Sequence, residues 1–202
     1  MTMTPHLDDL MKKLQFLPGV GPKTAMRIAL AMMKDRPKSL QLGDSIMAAA
    51  NLVKSCQQCR HFSEHEVCHI CLDTKRDQHT ICVVETPSDL ISVEESHCFN
   101  GRYFVLMGHI SPIDGIGPED LAISSLIQQC SENTITEVIL ATNSTVEGEV
   151  TAQYIVDQLK PHNIPCSRIG HGVPIGGELE YLDGNTVKQA LLARRNWLQN
   201  AN

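Results

Sequence analysis

Apolar residues near the N-terminus recur at helical spacing on both sides of a short turn. The series before the turn contains Leu7, Leu10, Met11 and Leu14, and the series after it contains Ala25, Ile28, Ala29, Met32 and Met33. Spacings of three and four residues place such side chains on one face of an α-helix. The intervening sequence, Leu17-Pro18-Gly19-Val20-Gly21-Pro22-Lys23-Thr24, is rich in turn residues. The pattern therefore predicts two helices joined by a tight turn.

From Thr80 onward, short apolar runs alternate with helical stretches. This alternation is typical of an α/β unit with a mostly parallel sheet. The predicted strands are Ile81 to Glu85, Tyr103 to Met107, Val138 to Ala141 and a short run around Ile169. The predicted helices are Ser88 to Ser96, Pro118 to Cys130, Val150 to Leu159 and a C-terminal helix over Thr186 to Leu198. Two polar segments, Asp35 to Gly43 and Asp73 to Gln78, are predicted to be linkers.

Two Cys-x-x-Cys pairs separated by eight residues indicate a metal site at Cys56, Cys59, Cys68 and Cys71. Four thiolates at this spacing close a tetrahedral cage around Zn²⁺ with no open position, so the predicted zinc is structural. A disulfide-stapled loop is the alternative. His61, His65 and His69 lie in or beside the same segment and are alternative ligands, but four thiolates make them surplus. Because the segment is short, the metal is expected to supply the free energy that folds it.

The other cysteines show no pairing pattern, and we expect Cys82, Cys98, Cys130 and Cys166 to be buried, inert thiols. The opening residues are polar with no apolar stretch of a signal peptide, and we find no run long enough to span a bilayer. Reduced cysteines with zinc and no export signal predict a cytoplasmic protein without membrane contacts.

Charge is unevenly distributed along the chain of 202 residues, whose net charge is -6. Residues 1–60 hold nine Lys or Arg against four Asp or Glu, which gives +5, and the remainder holds eight against nineteen, which gives -11. An acidic total is therefore compatible with DNA binding through a local basic surface. Ordinary solvated charge explains the same asymmetry equally well.

The predicted turn has the chemistry of a phosphate site. Gly19 and Gly21 permit positive φ and close backbone approach, and Pro22 suits the first turn of the second helix. Free N–H groups at that helix start bind anions, and Lys23 and Arg27 add charge one helical turn apart. The segment resembles the helix-hairpin-helix motif, which grips the sugar-phosphate backbone without reading bases. A helical hairpin with no DNA role is the alternative.

Acidic residues follow two of the predicted strands, where ligands gather in a parallel sheet. Glu85 ends one strand, and Glu147 and Glu149 lie in the loop after another. This arrangement resembles the Toprim domain, in which a glutamate and an aspartate pair hold Mg²⁺. The positions that resemble the aspartate pair are Asn143 and Thr145, both neutral, so strong Mg²⁺ binding is not expected. The three glutamates are expected to form a partner-docking surface or a weak ion site, or simply a solvated loop.

In this order, the three features resemble the RecR family of recombination mediators across nearly the whole chain. The resemblance is carried by Leu17 to Lys23, Cys56 to Cys71, Cys82-Val83-Val84-Glu85, Tyr103 to Pro118, Val138 to Glu149 and His171-Gly172-Val173-Pro174 to Glu180. It implies a protein without catalytic activity that works with RecF and RecO to load RecA onto gapped DNA. It also implies a ring-like homo-oligomer, with a tetramer as one candidate.

We expect four parts: a helical DNA-binding domain over 1–54, the zinc finger over 55–73, a Toprim-like domain over 79–175 and a C-terminal segment with a helix over 176–202. Two rival functions stay open. One is a small Toprim nuclease or topoisomerase that uses the three glutamates to hold Mg²⁺, although Tyr103 and Tyr154 are expected in the core. The other is a protein-docking module without a DNA role. Aromatic residues make up 4% of the chain, which disfavours base stacking as the main binding mode.

Overall fold

The computed structural model describes residues 3–132, 134–170 and 172–194. The chain divides into two compact units, Met1–Val53 and Lys54–Asn202. The helices in the described ranges are α1 (Pro5–Leu14), α2 (Pro22–Lys34), α3 (Arg36–Leu52), α4 (His69–Leu72), α5 (Pro87–Glu95), α6 (Ile123–Glu132), α7 (Val146–Leu159) and α8 (Gly184–Leu192). The strands are β1 (Lys54–Ser55), β2 (Phe62–Ser63), β3 (Thr80–Val84), β4 (Arg102–Val105), β5 (Glu137–Ala141) and β6 (Cys166–Arg168). None of these helices is long and apolar enough to cross a bilayer.

The first unit consists of α1, α2 and α3, which pack in sequence. The predicted hairpin of two helices is confirmed, but the predicted linker from Asp35 to Gly43 is wrong, because α3 begins at Arg36. The Asp35 side chain accepts a hydrogen bond from the Lys38 N–H at 3.2 Å and thereby caps α3. Polar residues and a proline at this point are helix-start signals, which composition alone cannot distinguish from a loop.

The second unit contains two sheets. Strands β1 and β2 form a short antiparallel pair at the cysteine finger. Strands β3 to β6 form a parallel sheet in the order β4-β3-β5-β6. Both neighbours of β3 are in register at its end, where Val84 lies opposite Val105 and Ala141. The predicted α/β class with an N-terminal helical hairpin, a cysteine finger, a mostly parallel sheet and a C-terminal helix is confirmed.

Apolar side chains cover both faces of the parallel sheet. Ile81 and Val83 of β3 face a core built with α6 and α7, which contribute Leu126 and Ile155. The alternate residues of β3 face a second core that contains Leu90 of α5 and three of the finger cysteines. Side chains on a strand alternate between faces, so each strand of this buried sheet contributes to both cores.

Three predicted helix starts are wrong. Helix α6 begins at Ile123 rather than Pro118, because Pro118, Glu119 and Asp120 form a turn in which the Asp120 carboxylate accepts from the Gly117 N–H at 2.8 Å. Helix α7 begins at Val146, four residues before the predicted start. Helix α8 begins at Gly184, where the Asp183 side chain accepts from two backbone N–H groups.

Other differences are smaller. The strand expected around Ile169 is β6, which ends one residue earlier at Arg168. The segment Asp73 to Gln78 forms no helix or strand, yet Arg76 within it is buried and pairs with Glu94. The predicted C-terminal helix end at Leu198 and the side chain of Trp197 lie outside the described residues, as does His171.

Candidate functional site

The cysteine finger is built from two knuckles, each of which turns one cysteine pair inward. At the first, the Cys56 N–H donates to the His61 carbonyl at 2.7 Å and the Arg60 N–H donates to the Cys56 carbonyl at 2.9 Å. Arg60 has a φ of 66°, which closes this turn sharply. At the second, Cys68 precedes α4 and Cys71 lies within it. The two knuckles therefore present four thiols to one point.

The four Sγ atoms lie within 4.8 Å of one another, and those of Cys59 and Cys68 are 3.5 Å apart. Tetrahedral coordination with Zn–S bonds of about 2.3 Å needs sulfur separations of about 3.8 Å. Cys56, Cys59 and Cys68 are almost fully buried, and Cys71 is half-buried. Histidine does not join this ligand group in the described part of the chain. The donor set fits a closed Zn²⁺ site in which all four cysteines are ligands.

Hydrogen bonds link the thiols of the cluster. Bonds from Cys59 and Cys71 hold the pKa of Cys68 well below its usual value, whereas the bond with Cys68 raises the pKa of Cys59 to about 12. Binding of a metal ion displaces the remaining thiol protons. The cysteines outside the finger differ. Burial raises the pKa of Cys82 to about 12 and that of Cys130 to about 11, as expected of inert thiols, whereas Cys98 is exposed, contrary to expectation.

The finger is bonded directly to the parallel sheet. The Val105 N–H of β4 donates to the Cys59 carbonyl at 2.8 Å. The Arg60 guanidinium donates to the Leu106 carbonyl at 2.9 Å and the Leu121 carbonyl at 2.5 Å, and lies 5.8 Å from the Phe104 ring centre. The Gln129 side chain donates to the Gln58 carbonyl. Sequence reasoning missed Arg60, because an arginine between two cysteine pairs carries no pattern of its own.

The turn between α1 and α2 has an open, glycine-rich surface. Gly19 adopts a φ of 76°, a conformation that side chains disfavour, and the Val20 N–H donates to the Leu17 carbonyl. Gly21 has an ordinary φ of -82°, and no atom lies within 4 Å of where its Cβ would be. Packing within the chain therefore does not explain the glycine at position 21.

Helix α2 presents an uncompensated N-terminus at this turn. Its N-cap residue is Gly21, which offers no side-chain cap, and its first turn contains no acidic residue. Lys23 and Arg27 are both exposed. Free N–H groups at the positive end of a helix dipole, next to two cations, favour a bound anion.

Glu85 lies directly after β3 and is 2% exposed. One carboxylate oxygen accepts from the Asn143 N–H at 2.7 Å, and the other accepts from the Asn143 side-chain amide at 2.8 Å. The His109 ring lies 3.3 Å from the second oxygen. A Cβ on Gly148 would meet the first oxygen at 2.8 Å. Both oxygens of the carboxylate thus have hydrogen-bond partners within this chain.

The other two glutamates have different surroundings. Glu147 and Glu149 lie in the first turn of α7 rather than in a loop, and Thr145 caps that helix by accepting from the Gly148 N–H at 3.0 Å. The Arg168 guanidinium binds Glu149, with a further bond to the Thr142 hydroxyl. In the described residues, the four cysteines are the group arranged to hold a metal, and the three glutamates form no such group.

The tyrosines near the sheet take structural positions. Tyr103 is 2% exposed, and its hydroxyl donates to Glu94 at 2.6 Å. Arg76 binds the same carboxylate and lies over the Tyr103 ring. Burial, followed by the Glu94 contact, raises the pKa of Tyr103 well above its usual value. Tyr154 packs against the sheet core. The expectation that both belong to the core is confirmed.

Together these features define a class: a helical-hairpin protein with a four-cysteine finger and a Toprim-type α/β unit. Family models match in the same order. Residues 7–50 match the RecR helix-hairpin-helix, residues 53–73 the RecR four-cysteine zinc finger domain, residues 79–170 the Toprim domain and residues 172–195 the RecR C-terminal region. The chain is also similar to the recombination protein RecR of Hahella chejuensis (strain KCTC 2396), with 49% identity over 195 residues, or 96% of this chain and 97% of that protein. The chain belongs to the RecR family of recombination proteins, and its four cysteines form the family's zinc finger.

Removal of zinc is expected to unfold the finger and destabilise the sheet that it contacts. Cys71→Ser should lower bound zinc from about one ion per chain to well below that, because three thiolates hold the ion less tightly than four. The melting temperature should fall by more than about 5 °C, because metal-binding free energy is also folding free energy. Metal analysis and thermal unfolding measure both. Cys98→Ser, an exposed thiol outside the cluster, is the control and should change neither; equal zinc content in the two variants would contradict the assignment.

The Arg60 side chain is expected to stabilise the second unit. Arg60→Ala leaves the Leu106 and Leu121 carbonyls without this donor and should reduce the free energy of unfolding by about 2–3 kcal/mol. Urea unfolding followed by circular dichroism measures the loss. Lys75→Ala, a change of equal charge at an exposed site, is the control. A difference between the two variants below about 0.5 kcal/mol would show that the finger is not anchored by Arg60.

Proposed function

We propose that this protein is a DNA-binding recombination mediator without catalytic activity. It binds the sugar-phosphate backbone of gapped DNA, at the junction of single and double strands, without sequence preference. With RecF and RecO it promotes the loading of RecA, and it works in the cytoplasm. Membership of the RecR family supports the recombination role, and the uncapped N-terminus of α2 is the observation that carries DNA binding.

The DNA contact is assigned to Gly19, Gly21, Lys23 and Arg27. A phosphate at the start of α2 would accept from free N–H groups, and the missing Cβ of Gly21 leaves room for a backbone to approach. Lys23 and Arg27 then add charge without selecting a base. The balance of +5 in residues 1–60 gives this part of the chain the sign that phosphate requires.

The absence of catalysis is proposed from the chemistry around Glu85. In a metal-dependent phosphoryl transfer site, carboxylate oxygens face a cation. Here the Asn143 backbone and side chain occupy both oxygens of Glu85, and Glu149 is paired with Arg168. The acidic end of the sheet is instead assigned to docking of protein partners, with Glu85 supporting the segment that leads into α7 and the first turn of α7 presenting Glu147 and Glu149.

A homo-oligomer, with a tetrameric ring as the candidate form, is proposed from the first unit. In the described residues of that unit, only Ala25 and Ala29 are buried apolar side chains. Leu40, Ile46 and Met47 are each at least 59% exposed. A three-helix unit of about 50 residues with so small a core is stable only with further apolar contacts, which a second copy supplies.

The DNA assignment predicts a specific salt dependence. Lys23→Ala with Arg27→Ala should weaken binding to a gapped duplex by at least about tenfold near physiological salt and reduce the salt slope by about two charges, because each cation releases one counterion. Fluorescence anisotropy with labelled gapped DNA over a range of salt concentrations measures both quantities.

Two controls distinguish the turn from general charge. Lys34→Ala with Lys38→Ala removes equal charge near the other end of α2 and should leave the slope closer to the wild-type value. Gly21→Ala fits the free protein, so it should weaken DNA binding without loss of stability, whereas Gly19→Ala should cost about 1 kcal/mol of stability through its positive φ. Wild-type affinity in both Gly21→Ala and the Lys23/Arg27 variant would exclude the turn as the DNA contact.

The non-catalytic assignment predicts intact strands. Labelled gapped DNA incubated with saturating pure protein and Mg²⁺ should show no breaks on a denaturing gel, because the Glu85 carboxylate is already bound by Asn143. Glu85→Gln serves as the matched variant. Cleavage by the wild-type protein that disappears in Glu85→Gln would mean that the Toprim site performs phosphoryl transfer, as in the rival nuclease hypothesis.

A further inference from the structure

A tight hairpin over residues 111–116 projects from the second unit, between β4 and α6. Ser111 and Ile116 close it by bonding in both directions, at 3.1 and 2.9 Å. Two overlapping turns form its tip: the Asp114 N–H donates to the Ser111 carbonyl and the Gly115 N–H to the Pro112 carbonyl. Gly115 has a φ of 71°, which such a reversal needs. Ile113 at the tip is 95% exposed.

Ile113 is an unusual residue type for the turn in which it lies. The centre of a β-turn favours glycine, asparagine, aspartate or serine, and a β-branched apolar residue gains nothing there from the local backbone. Pro112, Asp114 and Gly115 around it all follow the turn preferences. A residue that departs from the local turn preference and has no compensating contact is a candidate for a functional position.

The hairpin is held rigidly at its base. Ser111 is buried, and its hydroxyl donates to Asp114 at 2.6 Å. The Ile110 N–H donates to the Thr151 hydroxyl of α7 at 2.9 Å, and Ile110 and Ile116 pack against the sheet core. The backbone that carries Ile113 is therefore held in place, which reduces the conformational entropy lost when a partner binds.

The surroundings of the hairpin are acidic. From Tyr103 to Leu159 the sequence contains no Lys or Arg, and its eight acidic residues are Asp114, Glu119, Asp120, Glu132, Glu137, Glu147, Glu149 and Asp157. Glu119 and Asp120 lie against Gly117 at the foot of the hairpin. Arg60, which reaches this region from the finger, donates to the Leu106 and Leu121 carbonyls. The acidic side chains in and at the foot of the hairpin, Asp114, Glu119 and Asp120, repel phosphate and attract cations.

We propose that the Ser111–Ile116 hairpin docks a protein partner that offers an apolar pocket bordered by lysine or arginine side chains, with Ile113 as the anchor. An apolar side chain that enters a pocket supplies the binding free energy, and acidic residues at the rim select a basic partner and speed its association. This inference rests on the proposed function, because it assigns part of the partner contact to one loop.

The test measures the affinity of purified RecO and of purified RecF, each alone, for the full-length protein and for Ile113→Ser. Binding of at least one partner should weaken about 10- to 100-fold, the loss expected when a buried aliphatic anchor is removed. Ile91→Ser, an exposed isoleucine on α5, is the matched control and should change the affinity less than about threefold. Glu119→Gln should slow association and reduce its salt dependence.

Two further measurements distinguish partner docking from other possible roles of the hairpin. Ile113→Ser should leave gapped-DNA affinity and the mass measured by light scattering unchanged. Loss of DNA binding would overturn the inference by placing nucleic acid at the hairpin, and a change of mass would overturn it by placing a second copy there.

The same affinity measurements distinguish failure of the hairpin assignment from failure of the proposed function. If Ile113→Ser binds RecO and RecF with the affinity of the wild-type protein, the hairpin assignment is wrong and the proposed mediator role is unaffected. Wild-type protein that binds neither RecO nor RecF overturns the partner assignment of the proposed function, and the hairpin assignment with it. Loss of partner binding in Ile113→Ser, with DNA affinity and mass unchanged, supports both the hairpin assignment and the proposed function.

Discussion

The structure depends on the hydrogen bond by which the cysteine finger closes the edge of the parallel sheet. Strand β4 pairs with β3 on one side, and on the other its Val105 N–H donates to the Cys59 carbonyl. An unpaired strand edge is open to non-native pairing and to water. Arg60 adds two bonds at the same place, so the finger is bonded both to the edge strand and to the segment after β4. The finger is therefore a structural part of the α/β unit, as a closed four-thiolate site requires.

At the carboxyl end of the same sheet, a buried carboxylate is held by groups of this chain. A buried carboxylate must be paired or hydrogen-bonded, because an isolated charge in the protein interior is costly. Asn143 satisfies both oxygens of Glu85 with neutral donors, and Gly148 allows the start of α7 to approach. With a neutral amide at this position, the carboxylate supports the loop that leads into α7.

The sequence predicts those parts of the structure that depend on local pattern. Helical spacing locates α1 and α2, buried apolar runs locate β3 and β5, and cysteine spacing identifies the zinc ligands. Prediction fails where a polar segment is compatible with either a helix start or a turn. The residues around Asp35 begin a helix, whereas Pro118 to Asp120 form a turn. Sequence pattern gives no signal for Arg60, whose role comes from carbonyl groups 46 and 61 positions away. Long-range polar bonds of this kind have no sequence period, so only the folded structure reveals them.

The two units differ in net charge as well as in fold. The stretch from Tyr103 to Leu159 contains eight acidic residues and no Lys or Arg, a balance that disfavours contact with DNA phosphates. The first unit holds seven Lys or Arg against four Asp or Glu, and its uncapped helix start is the proposed DNA contact. The hairpin within that stretch is the proposed contact with a protein partner, and it presents Ile113 among acidic side chains. Under the proposed function, opposite charge on separate units lets DNA and a protein partner bind without competition.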